Sequence, residues 1–386
     1  MKGHLKKRSK DSWTIIVDLG LKANGKRNQK WKSHKGTKKE AEALLARMLT
    51  ELEDGVFIDA KKTSVNEYLD KWIASIKGSV SATTYERYKQ LCDKHLKPTI
   101  GNIALNKLQA IKISEMYSNA IVSGRLDKSG GLSKQTVLHM HRVLKRALSQ
   151  AVKWGLISKN PCDAVDNIPK PDKKERLTFT TEETLELLKQ LEGHVLYLPV
   201  VIAVTTGMRR GEIIGLRWKD IDLEQKRIHI RQIVIETREF GLEIKQPKTD
   251  SSSRTIALPQ MTVDAITKYR VEQAKLALQL GKGLKPESML LDELSGLNVP
   301  GSLTARFRKF IKSRKFKRVT FHDLRHTHAT HLLGQNIHPK VVSERLGHST
   351  IALTMNTYSH VMPTMQEEAA DKVDDMLSIT GHKKGT

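Results

Sequence analysis

The chain has 386 residues, with 67 Lys and Arg against 42 Asp and Glu and a formal net charge of +25. That length exceeds one ordinary core, so two or three domains are expected, and a clustered cationic surplus points to a polyanion, most commonly nucleic acid. Two distant cysteines, Cys92 and Cys162, exclude a disulfide framework and fit a reducing, intracellular setting; with no long apolar run, and a basic start lacking an apolar stretch, neither a membrane span nor a signal peptide is expected.

Residues 1–60 read as a small unit. WTIIVDL (13–19) is a strand, Asn24-Gly25 a hairpin turn, and the chain from Lys26 to Trp31 its partner strand. Thr37 with Glu40 is a capping box opening a helix that turns Ala41, Leu44, Leu45, Met48 and Leu52 inward. The strands carry Lys22, Lys26, Arg27, Lys30, Lys32 and Lys35, so the open face of this sheet suits a DNA groove; an ordinary solvated face is the alternative.

After a linker near 58–63, residues 64–167 read as all helix. Val65, Tyr68, Leu69, Trp72, Ile73 and Ile76 mark the first helix, and Tyr85, Tyr88, Leu91, Cys92 and His95 the second, which Pro98 and Gly101 should break. Ser114 is a candidate cap for a third. Ser133 caps a long fourth with Val137, Met140, Leu144, Ala147, Leu148 and Ala151 inward and Lys134, Arg142, Lys145, Arg146 and Lys153 outward. One basic face on a bundle fits contacts to a DNA backbone, while the aromatics, in the apolar register, fit the core. IPKPDKKER (168–176) reads as a linker.

The third unit, 175–378, opens with a capping box at Thr180 and Glu183. LYLPVVIAVTT (196–206) reads as a helix buried on all sides and stopped by Gly207, which leaves Arg209 at the next helix N-terminus, a place for an anion. Arg227 to Glu236 alternates as one strand. Residues 243–245 and 254–258 read as two more, joined by QPKTDSSS with Lys248 near a hairpin tip. A helix over 323–333 puts His322 and Arg325 on one face and Leu324, His328 and Leu332 toward the core, with Gly334 as its stop. Pro339 opens KVVSERL and Gly347 stops it; Ser349 caps a helix carrying Ile351, Met355 and Tyr358 in one register. Residues 365–377 form an amphipathic helix, with Ala369, Val373, Met376 and Leu377 on one side and Glu367, Glu368, Asp371, Asp374 and Asp375 on the other.

A basic residue and two imidazoles within reach of a phenol look like a site for an anion and a nucleophile. Singly, each residue has a plain structural role: Arg209 paired with Glu212 or Asp220, Lys248 solvated, His322 a cap, Arg325 an ion-pair partner, His348 and Tyr358 in the core. His322, His326, His328 and His331 invite a metal, yet HExxH and cysteine partners are missing and only Asp323 offers a carboxylate at ligand spacing, so neither metal nor cofactor is expected.

The ordered set TGMRRGEIIGLRW, PKTDSSSRTIAL, HDLRHTHAT and LGHSTIALTMNTYSH resembles the signature of the tyrosine recombinases, the phage-integrase family, in the type carried by phages and integrative conjugative elements. The resemblance implies a multidomain α+β chain: a small sheet-plus-helix arm-binding domain (1–60), an all-α, SAM-like core-binding bundle (64–167), and a mainly α catalytic domain with a small antiparallel sheet (175–378). It carries the family's catalytic set onto Arg209, Lys248, His322, Arg325, His348 and the nucleophile Tyr358, with Glu212 in support. The activity implied is metal-independent strand cleavage and rejoining through a 3′-phosphotyrosine, integrating and excising a mobile element or viral genome. The implied partners are double-stranded DNA at core-type and arm-type sites, three further copies in a homotetramer, an excisionase and a host DNA-bending protein, in the bacterial cytoplasm at the nucleoid. The segment after the tyrosine is implied to pack on a neighbouring protomer, with docking on its own domain as the alternative. A chromosome-dimer-resolving recombinase, which lacks the arm-like domain, and a DNA-binding regulator without catalysis are the alternatives.

Overall fold

A computed structural model describes residues 3–21, 27–53, 63–127, 129–172, 177–247, 253–281, 283–292, 295–358 and 365–378. The chain divides into two compact units, Met1–Lys173 and Lys174–Thr386. Among the described residues no helix is long and apolar enough to cross a membrane.

The first unit begins with strands β1 (Gly3–Ser9), β2 (Ser12–Leu21) and β3 (Arg27–Lys35), antiparallel in that order. The sequence reading lacked β1, which has Leu5 as its one large apolar residue; Leu5 lies opposite Ile15, and pairing rather than local propensity makes the strand. Helix α1 (Lys38–Glu53) covers one face, where Leu5, Ile15 and Val17 meet Leu44, Leu45, Met48 and Leu49. Its start is the expected reciprocal cap: Thr37 N–H donates to Glu40 at 2.8 Å and Glu40 N–H to the Thr37 hydroxyl at 3.3 Å.

The pleat sorts the residues of this sheet by face. Lys32 pairs with Ile15, so by register it shares the helix-covered face. The other face bears Thr14, Ile16, Trp31 and Ser33, of which Thr14 and Ile16 are buried and Trp31 is exposed. Lys22, Lys26 and the Asn24-Gly25 turn lie outside the described residues.

A separate core gathers α2 (Val65–Ser75), α3 (Ala82–Leu91), α4 (Lys97–Ile100), α5 (Ala110–Ser123) and α6 (Lys134–Lys153). Its aromatics are structural: Trp72 stacks on Tyr88 at 5.9 Å and the buried Tyr68 hydroxyl donates to Ala147 O. Pro98 does not break the second helix. A π turn over Cys92–Leu96 leads into α4, where Pro98 stands in the first turn and its missing N–H is harmless; Gly101 then ends the run. Ser114 is interior to α5, because the buried register Ile113, Met116, Tyr117 and Ala120 reaches a turn further back. Ser133 caps α6 by accepting from Thr136 N–H at 3.2 Å.

The second unit is built on α8 (Tyr197–Thr206), preceded by α7 (Thr181–Gln190). Every α8 residue from Leu198 to Val204 is buried, and each large aliphatic there contributes about 2 kcal/mol of apolar burial. After α9 (Arg210–Ile214), β4 (Ile221–Asp222), β5 (Arg227–Ile230) and β8 (Arg254–Ala257) make one antiparallel sheet, and β6 (Ile233–Thr237) pairs with β7 (Gly241–Lys245) in another. The expected strand 227–236 is thus two strands. It breaks at Arg231–Gln232, where the Gln232 amide turns to Gly215 O at 2.8 Å. Strands β7 and β8 do not pair with each other, so 246–253 links two sheets instead of closing a hairpin. Lys248 lies outside the described residues.

Helices α10 (Gln260–Gln279), α11 (Pro300–Ser313), α12 (Asp323–Gly334), α13 (Pro339–Leu346), α14 (Ile351–Tyr358) and α15 (Met365–Ser378) complete the unit. Gly334 is the last helical residue of α12 rather than its left-handed stop; Asn336 takes that conformation at φ 56°. Helix α12 is buried nearly all round, with Leu332 only partly so. Gly347 ends α13 at φ 66°, as its sequence suggests. Val373, Met376 and Leu377 of α15 are exposed.

Candidate active site

Gly207, at φ 68°, turns the chain out of α8 where a Cβ would meet Leu346 Cδ2 at 2.5 Å and His328 Cδ2 at 2.7 Å. Helices α8, α12 and α13 converge on that turn, and its carbonyl accepts from Arg325 Nη1 at 2.8 Å. Arg325 is buried to 3% exposure. Arg209 follows as the N-cap of α9. Its N–H and Nη1 donate to Glu212, both at 2.8 Å, and Nη2 donates to Gly347 O at 3.0 Å. Arg210 turns away to the Thr304 hydroxyl. Asp220 is engaged by Arg217, so of the two acids considered for Arg209 it is Glu212 that it meets.

Two arginines outside the sequence-stated set lie behind these. Arg254, on β8, donates from both terminal nitrogens to Glu212 at 3.0 Å each and from Nε to Arg345 O at 2.8 Å. Arg345, on α13, donates to Thr205 O at 2.9 Å and to His328 Nε2 at 3.2 Å. Because arginine only donates and the Val204 carbonyl, 2.9 Å from His328 Nδ1, only accepts, that imidazole is neutral with its proton on Nδ1. Burial first, then Arg345, pushes its pKa down to about 3. For Glu212, burial favours the neutral acid, but the Arg254 fork and the Arg209 charge outweigh it and hold the carboxyl below its ordinary range.

His322 stands at the N-cap of α12, exposed, with its ring edge-on to buried His326 at 5.2 Å. Asp323 locks that start: its carboxylate accepts from Thr320 N–H at 2.8 Å and Thr320 Oγ1 at 2.6 Å. His331 is spent on Phe179 O at 3.0 Å, and with His328 committed as above, two of the four clustered imidazoles serve the backbone. His348 follows Gly347 and bonds Thr354 Oγ1 through Nδ1 at 2.8 Å. Its pKa is pushed down to about 4 by burial and by Arg325, Arg209 and Arg254, which places it in one cationic field with those three. Tyr358 closes α14, and its side chain lies outside the described part of the structure. Arg209 and Arg254 share the one buried acid, Glu212, while Arg325 and Arg345 bond to Gly207 O, Thr205 O and His328, a cationic surplus suited to an anion.

In the first unit Lys134 pairs with Asp172 at 3.0 Å, Lys145 with Asp163 at 2.8 Å, and Arg146 donates to the Tyr88 hydroxyl at 3.1 Å; Arg142 is exposed. Arg27 and Lys30 lie on β3, with Lys32 half-buried there. Sequence reasoning missed Arg254, Arg345 and His328 as parts of the site. Arg254 lies within the PKTDSSSRTIAL stretch, the one signal that could have found it.

A profile described as "Phage integrase family" matches residues 176–365, and one described as "Phage integrase, N-terminal SAM-like domain" matches 64–121. The chain is 26% identical to a protein named tyrosine recombinase XerC-like from Caldanaerobacter subterraneus subsp. tengcongensis, over 96% of this chain and 98% of that protein. It is 24% identical to the ICEBs1 integrase of Bacillus subtilis, over 88% and 91%. Its fold matches the Tn1549 transposon integrase solved with transposon right end DNA, at TM-score 0.67 and 22% identity over 81% of this chain and 100% of that one. The lambda integrase tetramer bound to a Holliday junction matches at TM-score 0.50 and 17% identity, over 90% and 95%. With both profiles in order along one chain, and relatives similar to it from end to end, the chain belongs to the phage integrase family of tyrosine recombinases, enzymes that cut and rejoin DNA.

Proposed function

We propose that the protein integrates and excises a mobile element by conservative site-specific recombination, with Tyr358 as the nucleophile. The observation that carries this is the arginine cluster, in which Arg209 and Arg325 are oriented by carbonyls that flank the turns at Gly207 and Gly347. Both present planar, cationic donor forks to the nonbridging phosphate oxygens, where charge gathers in the transition state. The Tyr358 oxygen attacks phosphorus and the 5′-oxygen departs. His322, exposed at its helix start, takes the phenolic proton; Lys248 protonates the leaving oxygen; neutral His348 hydrogen-bonds a nonbridging oxygen. Glu212 braces Arg209. The 3′-phosphotyrosine conserves the bond energy, so a 5′-hydroxyl of another strand reseals it.

The unit assignments follow the same reading. Residues 175–378 perform the chemistry, 64–167 grip the core site through the outer face of α6, and 1–60 bind arm-type sites. Four copies act on two DNA sites through a Holliday junction, an assembly that the lambda integrase structure supports. Helix α15, exposed along Val373, Met376 and Leu377, docks on a neighbouring protomer. Excision draws on an excisionase and a host DNA-bending protein, in the bacterial cytoplasm. Chromosome-dimer resolution is favoured by the name of the XerC-like relative; the basic sheet and helix of residues 3–53 weigh against it.

The test is Tyr358→Phe on nicked duplexes carrying the junction of the circularised element. DNA binding should match the unaltered protein and the covalent adduct should vanish. An adduct that persists in this variant means that another residue attacks.

A further inference from the structure

We propose that Arg254 is a positioning residue whose charge cancels Glu212 and so leaves Arg209 free to hold the scissile phosphate; this rests on the function proposed above. Glu212 is 2% exposed and its two oxygens take four donors. Oε1 accepts from Arg209 Nη1 at 2.8 Å and Arg254 Nη1 at 3.0 Å, and Oε2 from Arg209 N–H at 2.8 Å and Arg254 Nη2 at 3.0 Å. Arg254 makes the two-pronged side-chain contact and is 8% exposed, whereas Arg209 gives one prong and is 38% exposed. The buried carboxylate therefore has a buried counter-ion, and the outer arginine keeps its charge for a ligand.

Geometry adds a second link. Arg254 Nε donates to Arg345 O at 2.8 Å, two residues before the Gly347 carbonyl that holds Arg209 Nη2 at 3.0 Å. One side chain thus fixes both anchors of Arg209. Without Arg254, Glu212 and Arg209 form a neutral pair, and the phosphate meets a dipole instead of a cation.

The experiment measures single-turnover adduct formation on a nicked duplex, with DNA affinity in parallel, for the full-length protein and three variants. Arg254→Gln should slow adduct formation about 100-fold while affinity for DNA changes little. Adding Glu212→Gln to Arg254→Gln should recover about tenfold, since no carboxylate is left to neutralise Arg209. A purely structural Arg254 predicts the opposite, a double variant slower than the single one, and that result would overturn the proposal, as would an unaffected Arg254→Gln. Should Arg254→Gln fail to fold, Arg254→Lys decides: retained charge predicts a loss below about tenfold, and a loss of about 100-fold contradicts the charge role. An unaltered protein that forms no adduct removes the proposed function itself, an outcome distinct from all of these.

Discussion

Two backbone carbonyls orient the arginines to which the proposed chemistry is assigned, Gly207 O for Arg325 and Gly347 O for Arg209. Arg209→Lys keeps the charge but loses the fork that meets Glu212, Gly347 and a phosphate together, so cleavage rates should fall by about 100-fold or more with binding retained. A variant as fast as the unaltered enzyme would deny Arg209 its part. The imidazoles give a pH prediction. His328 and His348 sit at about 3 and about 4 against an ordinary 6.5, so between 6.5 and about 4 the folded chain binds fewer protons there than the unfolded one. Stability on their account is full above 6.5 and declines as pH falls toward 4. Thermal midpoints should follow that trend, and His328→Gln should flatten it; an equal slope would remove His328 from the account. His322, Arg325, His348 and Tyr358 were legible because they share one stretch with helix spacing and a left-handed stop at Gly347, whereas Arg209 and Lys248 came from the order of the family motifs. Arg254, Arg345 and His328 were not, since their partners lie far off in sequence, as Glu212 and Arg345 O do from Arg254.

At the scale of elements, capping boxes at Thr37 and Thr180 and the apolar registers of α6 and α8 could be read directly, because each is a local preference agreeing with burial. Strands were harder. β1 exists through its partner, and the break between β5 and β6 is set by a side-chain bond to Gly215 O, neither of which leaves a periodic trace. The first three strands and α1 have an apolar core of their own, separate from that of the bundle. Deleting residues 1–60 should accordingly leave a folded protein that binds and cleaves the core site but loses affinity for a second, distant class of sites. If the remainder does not fold, or the deleted protein binds every site as before, the arm assignment fails.

Over the whole molecule, the +25 charge implies binding dominated by phosphates, hence weakening steeply with salt for both classes of site. That steepness would be shared by any basic DNA-binding protein. What separates a recombinase from a regulator of the same fold is a covalent bond to DNA. The most direct measurement traps the adduct on a nicked duplex in the presence of a chelator, digests protein and DNA, and locates the nucleotide by mass spectrometry. The account predicts a 3′-phosphotyrosine on the peptide that contains Tyr358, formed without added metal. A nucleotide on any other residue, or no covalent species from a protein that binds the duplex, would contradict it.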